Sequence, residues 1–317
     1  MAIELIATEA GGAGHLADDA TSTDGSPIRS KRLSRRALLF RRFLRNKTAV
    51  VGVVMYLVLA LVAIFGPAVL TKWTYTEIDR TSFLKAPSWK HLLGTTQTGR
   101  DVLAMCLAGL RKSMLIAIVV GIGATTIAAV VGSTAAYFGG WWERIALWGI
   151  DMLLVLPALL VIALFMRNVD THLAVWLAFW LMALSWMLSA RVVRSLTMSV
   201  RDREYVTAAR YMGVPSMTII FRHILPNITS LLIIDATIGI GGAVLAETGL
   251  SFFGFGIRSP EVSLGTVLSE GSRMATTFPW VFYGASMFLV WMIVSVNFIG
   301  DGLRDAFDPS SHSGGKA

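Results

Sequence analysis

Three carboxylates, Asp151, Asp235 and Glu247, stand inside long apolar stretches of a 317-residue chain. Ionised groups are costly in hydrocarbon, so such residues either line a substrate, ion or proton route or pair within a helix bundle. Asp151 follows Arg144 by seven residues, which places both on one inward helix face. Glu247 falls near the end of its apolar stretch, where a pathway would open, and is the leading candidate of the three. Other chemistry finds no support. His15, His91, His172, His223 and His312 are scattered, and the lone Cys106 has no zinc-type spacing around it and reads as a small buried apolar residue. The only Gly-Lys pair, Gly315-Lys316, is followed by Ala317, so there is no phosphate-cradling loop. No catalytic residue, metal ligand or cofactor is assigned to this chain, and it does not read as an enzyme.

The elements that must hold these residues are membrane spans. The chain is 55% hydrophobic and 15% charged, where a soluble domain carries about 25% charge. Mean hydropathy is +0.64. These values exclude an ordinary soluble enzyme and a disordered protein, and leave an all-α membrane protein. A helix needs about 20 apolar residues to cross the hydrocarbon core. Six tracts qualify: 48–70, 113–142, 144–166, 173–190, 228–250 and one within 274–300. Residues 1–47 read as a polar tail ending in a basic juxtamembrane segment, with nine Lys and Arg and no acid between Arg29 and Lys47. Residues 71–112 form an outer segment whose second part, Gly99 to Lys112, suits either an interfacial helix or an extension of the second span. Residues 301–317 read as a C-terminal tail. Eighteen of the 28 Lys and Arg fall in the tails and in the loops assigned to the cytoplasm, which favours both termini inside. This orientation accounts for the net charge of +8 without nucleic acid. Trp141, Trp142 and Trp280 read as interfacial anchors, and Gly239, Gly241 and Gly242 as close-packing positions.

The loop between the fourth and fifth spans, residues 199–227, has its own pattern. Helix formers run through Glu204, Tyr205, Thr207, Ala208 and Ala209 to Gly213, a natural helix stop. Val214-Pro215-Ser216 opens a second helix expected over 217–224, and Leu225-Pro226-Asn227 marks a break at the membrane edge. The paired alanines form a shallow face that a partner can approach, and Tyr205, Val206, Tyr211 and Met212 add apolar area. From the residues alone, a solvated topogenic loop and a docking element remain equally open.

The loop resembles the EAA loop of ABC importer permeases, with Thr207-Ala208-Ala209, Gly213 and His223-Ile224-Leu225-Pro226 at matching spacing. Thr207 stands where that family carries glutamate, and His223 in an aliphatic slot. Further segments resemble the C-type subunits of the dipeptide/oligopeptide (nickel/peptide) group: His91 to Leu103, Tyr137 to Trp141, Arg222 to Asn227, Glu247 to Gly254 and Gly300 to Asp305. The resemblance implies a type I ABC importer permease fold with six transmembrane helices in a bacterial plasma membrane. It implies a homologous B-type permease partner, two cytoplasmic ATPase subunits that bind ATP and Mg, and an extracytoplasmic substrate-binding protein. The expected coupling residues are Glu204, Tyr205, Thr207, Ala208, Ala209, Gly213, His223, Leu225 and Pro226. For an ATP-driven permease the three membrane carboxylates suit a structural or gating role better than a proton site. The expected cargo is a di- or oligopeptide; a nickel or metal-chelate importer and, more distantly, an ion-coupled secondary transporter are the alternatives.

Overall fold

The computed structural model describes residues 41–307, and all the regular elements among them are helical. Helix α1 (Lys47–Val69) starts where the Asn46 side chain accepts the backbone N–H groups of Thr48 and Ala49. It is apolar on every side, as a helix in contact with lipid and protein must be. Helix α2 (Val102–Phe138) runs for 37 residues, about 55 Å at 1.5 Å per residue. It contains no proline. The Asp101 carboxylate caps its start, and Gly139, at φ +63°, ends it. Thus residues 102–112 are the first turns of the same helix that carries the second apolar tract, and no separate helix stands between Leu70 and Val102. The apolar spacing there continues that of the span and is buried by neighbouring helices.

The next two apolar tracts are bent. Helices α3 (Gly140–Val155) and α4 (Ala158–Met166) meet at 77° across Leu156 and Pro157. Proline holds the preceding Leu156 in an extended conformation (φ −72°, ψ 128°), so a smooth helix over 144–166 is impossible. Helices α5 (Leu173–Ser185) and α6 (Met187–Arg201) meet at 42° at Trp186. The Trp186 indole N–H takes the Ala183 carbonyl at 2.9 Å, which competes with the helix ladder at the bend.

After the 199–227 loop, α9 (Leu225–Phe252) crosses back, the short α10 (Leu264–Ser272) follows, and α11 (Pro279–Phe307) completes the bundle. Helix α11 runs through residues 301–307, the first part of the expected C-terminal segment. Residues 1–40 and 308–317 lie outside the described part. Among the described residues, four helices are long and apolar enough to cross a membrane, or up to six if each bent pair is one span.

Helix α2 forms the centre of the bundle, against α9 on one side and α6 on another. Its contact with α9 is a backbone approach: a Cβ on Gly121 would lie 2.7 Å from the Ile240 nitrogen, and one on Gly239 would lie 3.4 Å from the Gly121 Cα. Gly239 therefore packs as expected, whereas Gly242 has open space around it. The main core gathers α2, α5, α9, α10 and α11 around Leu107, Leu110, Leu177, Val244, Leu264 and Met292, with Cys106 fully enclosed.

Candidate functional site

The 199–227 loop closes one end of the bundle. Helix α7 (Glu204–Tyr211) places Glu204 in its first turn, where a carboxylate complements the helix dipole. Val206 and Ala209 turn inward onto Tyr137, Val193, Val200, Ile219, Ile220, Ile224 and Ile228, a small core belonging to the loop itself. Tyr205, Thr207, Ala208, Arg210, Tyr211 and Met212 face outward. The two alanines are thus divided: Ala209 cements the loop and only Ala208 contributes to its outer face.

Gly213 ends α7 at φ +77°. Its N–H donates to the Arg210 carbonyl (3.0 Å), and that of Val214 donates to the Ala209 carbonyl (3.1 Å), the paired bonds of a left-handed helix stop. A Cβ at Gly213 would meet no atom within 4 Å, so the requirement for glycine is conformational rather than spatial. Beyond it come α8 (Ser216–Ile219) and a five-residue π-helical stretch, Ile220–Ile224, which carries half-buried His223. This stretch passes directly into α9, and residues 216–252 form one continuous helix. The break expected at Leu225-Pro226 is therefore absent. Proline lacks an amide hydrogen and collides with the carbonyl four residues back in an α-helix. The wider π turn relieves both problems, with the Leu225 N–H donating to the Ile220 carbonyl.

The outward side of this loop is unusually apolar. Tyr211 is 88% exposed and Met212 76%, and Met217 and Phe221 are each about half exposed. Met217, Thr218, Phe221, Arg222 and Pro226 line a shallow depression of about 480 Å³. Leu225 is half-buried against the loop core.

The three membrane carboxylates do not converge. Asp151 on α3 pairs with Arg191 on α6, not with Arg144, and Glu143, about two turns earlier on α3, pairs with Arg194, about one turn later on α6. Asp235 on α9 accepts from Thr125 of α2 and Ser189 of α6, each at 2.8 Å. Glu247 is fully enclosed, accepting from Ser113 of α2 (2.7 Å) and Ser251 (2.9 Å). It lies within this chain's own helix packing, so the expectation that it faces a pathway is not met in this conformation. Each carboxylate instead joins two or three helices.

The opposite end of the bundle holds a cluster that sequence reasoning missed. His91 is buried between two carboxylates, Nδ1 2.7 Å from Asp101 and Nε2 3.4 Å from Asp79, and Trp73 stacks on its ring. The Lys90 ammonium and the Thr81 hydroxyl and amide hold the Asp79 carboxyl well below the usual range. Trp280 belongs to this end as well. Half-buried, it donates its indole N–H to the Thr95 carbonyl (3.4 Å) and packs over Gly94, so it joins α11 to residues 71–101 rather than standing as a free anchor. Trp141, at 77% exposure, does project outward. Elsewhere, Glu261 receives Lys112 (2.9 Å) and the Leu173 N–H (2.9 Å). Burial pushes the Glu261 carboxyl up, but Lys112 and the α5 amides outweigh it and leave it below the usual range. Two signals bore on the His91 cluster: the His91 to Leu103 segment noted above, and Asp101 immediately before an apolar run, an N-cap pattern.

Comparison with known proteins places this architecture. The model of the binding-protein-dependent transport system inner membrane component matches residues 124–312, more than half of the chain. That of the N-terminal TM domain of oligopeptide transport permease C matches residues 34–87. The oligopeptide transport system permease protein OppC of Mycobacterium tuberculosis is 48% identical over 281 residues, covering 88% of this chain and 96% of the relative. Its Mycobacterium bovis counterpart gives the same values. OppC of Haemophilus influenzae is 34% identical over 279 residues, covering 85% and 86% of the two chains. With helices suited to several membrane crossings and these matches spanning nearly its whole length, the chain belongs to the binding-protein-dependent transport permeases, in their oligopeptide permease C branch.

Proposed function

We propose that this chain is the C-type permease subunit of an ATP-driven importer, passing di- or oligopeptides delivered by an extracytoplasmic binding protein. Each bent helix pair serves as one span, giving six, with both termini and the 199–227 loop in the cytoplasm of a bacterial plasma membrane. The basic residues concentrated on that side support the orientation. Two ATPase subunits dock on the loop and supply ATP and Mg chemistry; this chain performs no covalent step. A homologous B-type permease completes the pathway. The peptide names of the relatives favour peptide cargo over a metal chelate.

The observation that carries this reading is the outer face of the loop. Tyr205, Ala208, Tyr211 and Met212, with Met217 and Phe221, offer apolar area to a partner, while Val206 and Ala209 fasten the loop to the bundle. Glu204, Thr207 and Gly213 shape the first helix; His223, Leu225 and Pro226 shape the continuous turn into α9. ATP-driven closure of the paired ATPases moves this unit and shifts the population between outward and inward packings. Asp151, Asp235 and Glu247 act as ties between helices in that movement.

Reconstitution of the chain with its permease, ATPase and binding-protein partners tests the reading. Uptake of labelled peptides from a casein digest should require hydrolysable ATP and the binding protein. Uptake by the lone chain driven by an ion gradient would overturn it.

A further inference from the structure

Two arginines flanking the outward face of the 199–227 loop reach back to the same short piece of α2. Arg201, the last residue of α6, donates from Nη1 to the Ala136 carbonyl at 2.8 Å. Arg210, in the last turn of α7, sets its guanidinium over the ring of Tyr137, 5.2 Å from the centroid. Ala136 and Tyr137 lie in the final turn of α2, where backbone carbonyls are left without helical donors and the helix dipole presents its negative end. Tyr137 is itself 7% exposed, seated among Val193, Val200, Val206 and Ala209, so its ring is fixed in the loop core while one face receives the cation.

The other end of α2 is fastened just as closely. One Asp101 oxygen caps the helix at the Ala104 N–H (2.8 Å) and the other holds His91 of the segment before it. Between these ends the helix is α-helical throughout and contains no proline. The π turn, by contrast, interrupts the α-helical ladder between the loop and α9, and both other helix pairs are bent. Side chains of the loop thus grip one end of α2, while the 71–101 segment is tied to the other.

We propose that Arg201 and Arg210 are positioning residues for coupling: they clamp the end of α2 to the loop, so that α2 carries loop movement across the bundle to the 71–101 segment. Thr207, exposed on α7, has no charge with which to perform this task. The two arginines supply it from either side. The inference rests on the loop being the ATPase-docking element. Pulling on a helix end through a guanidinium–carbonyl bond and a guanidinium–ring contact requires that both survive the movement, which buried placement of the acceptors favours.

The test uses the assembled transporter in proteoliposomes. Peptides taken up per ATP hydrolysed should fall about three- to tenfold in Arg210→Gln and in Arg201→Gln. ATPase activity should persist while losing its response to the loaded binding protein. Arg210→Lys and Tyr137→Phe, which keep a cation and a ring, should restore most of the ratio, whereas Tyr137→Leu should not. Arg210 is exposed, so its variant decides the matter even if Tyr137→Leu inserts poorly. A separate measurement isolates the underlying reading: Met212→Cys should crosslink to an ATPase subunit with or without Arg210→Gln. Absence of that crosslink in the otherwise unaltered transporter would remove the docking reading. Its presence together with an unchanged uptake-to-ATP ratio in both arginine variants would overturn the clamp alone.

Discussion

Asp101 divides its carboxylate between two tasks: Oδ1 accepts the Ala104 N–H at the start of α2, and Oδ2 holds His91 ten residues earlier. One side chain therefore sets both where the long helix begins and how the preceding segment lies on it. Asp101→Asn keeps a capping oxygen and loses the charge opposite His91; Asp101→Ala loses both. A cap is worth about 1 kcal/mol and breaking a buried charged hydrogen bond about 1.5–3 kcal/mol. Thermal unfolding of the purified complex should rank the native chain above Asp101→Asn, and Asp101→Asn above Asp101→Ala. Equal melting temperatures for the two variants would refute the shared role.

The 71–101 segment should resist acid. Lys90 and Thr81 depress the Asp79 pKa, so this group's stabilisation is fully present above the unfolded carboxylate value of about 3.9. It is lost only as pH falls from there through the lower folded value. Hydrogen exchange of this segment, corrected for intrinsic rate, should be unchanged between pH 7 and 5. Asp79→Asn should raise exchange at pH 7, bringing it nearer to that of the acidified native protein.

Glu247 offers a choice between a tie and a pathway residue. Glu247→Gln preserves volume and an acceptor for Ser113 or Ser251, and should retain uptake with an unaltered cargo profile. Glu247→Ala leaves a cavity and unpaired buried hydroxyls, costing about 2–4 kcal/mol, and should lower the yield of folded complex. A changed peptide selectivity in the Gln variant, read by mass spectrometry of accumulated peptides, would return Glu247 to the substrate route.

Gly213 separates backbone conformation from packing. Because a Cβ there meets nothing, Gly213→Asn, which tolerates φ > 0, should preserve most ATP-coupled uptake. Gly213→Val and Gly213→Pro must distort the corner, at about 1–3 kcal/mol for a strained backbone, and should uncouple ATPase activity from uptake while membrane insertion persists. Similar uptake in all three variants would remove the corner from the coupling path.

Much of this arrangement was legible from residue spacing, and the failures have physical causes. Long uncharged tracts disclosed the helices, and Gly213 disclosed its corner, because hydropathy and φ > 0 are local properties. Pro157 was equally local, yet the apolar run around it conceals a 77° bend when length alone is counted. Pro226 misled in the opposite direction: the rule that proline breaks helices does not foresee a π turn absorbing it. Pairings across the bundle were hidden. Arg144 was nearer in sequence to Asp151, but the partner is Arg191, forty residues away, and only the α3–α6 packing selects it. Likewise, nothing in the pattern around Glu247 announces that Ser113, 134 residues earlier, will close over it.

The sharp corner at Leu156 and Pro157 bears on what can surround this chain. Where two helices meet at 77°, the last carbonyls of α3 and the first amides of α4 leave the helical ladder. Acyl chains offer such groups nothing to bond, and nine residues of α4 span only about 14 Å. The flanking side chains, with Val155 79% and Leu160 62% exposed, would nonetheless partition out of water. A surface at once greasy and carrying open peptide groups suits neither pure lipid nor bulk solvent. Taken alone, the chain is an unfinished solute, and its corner has to rest against other protein or a wetted cavity.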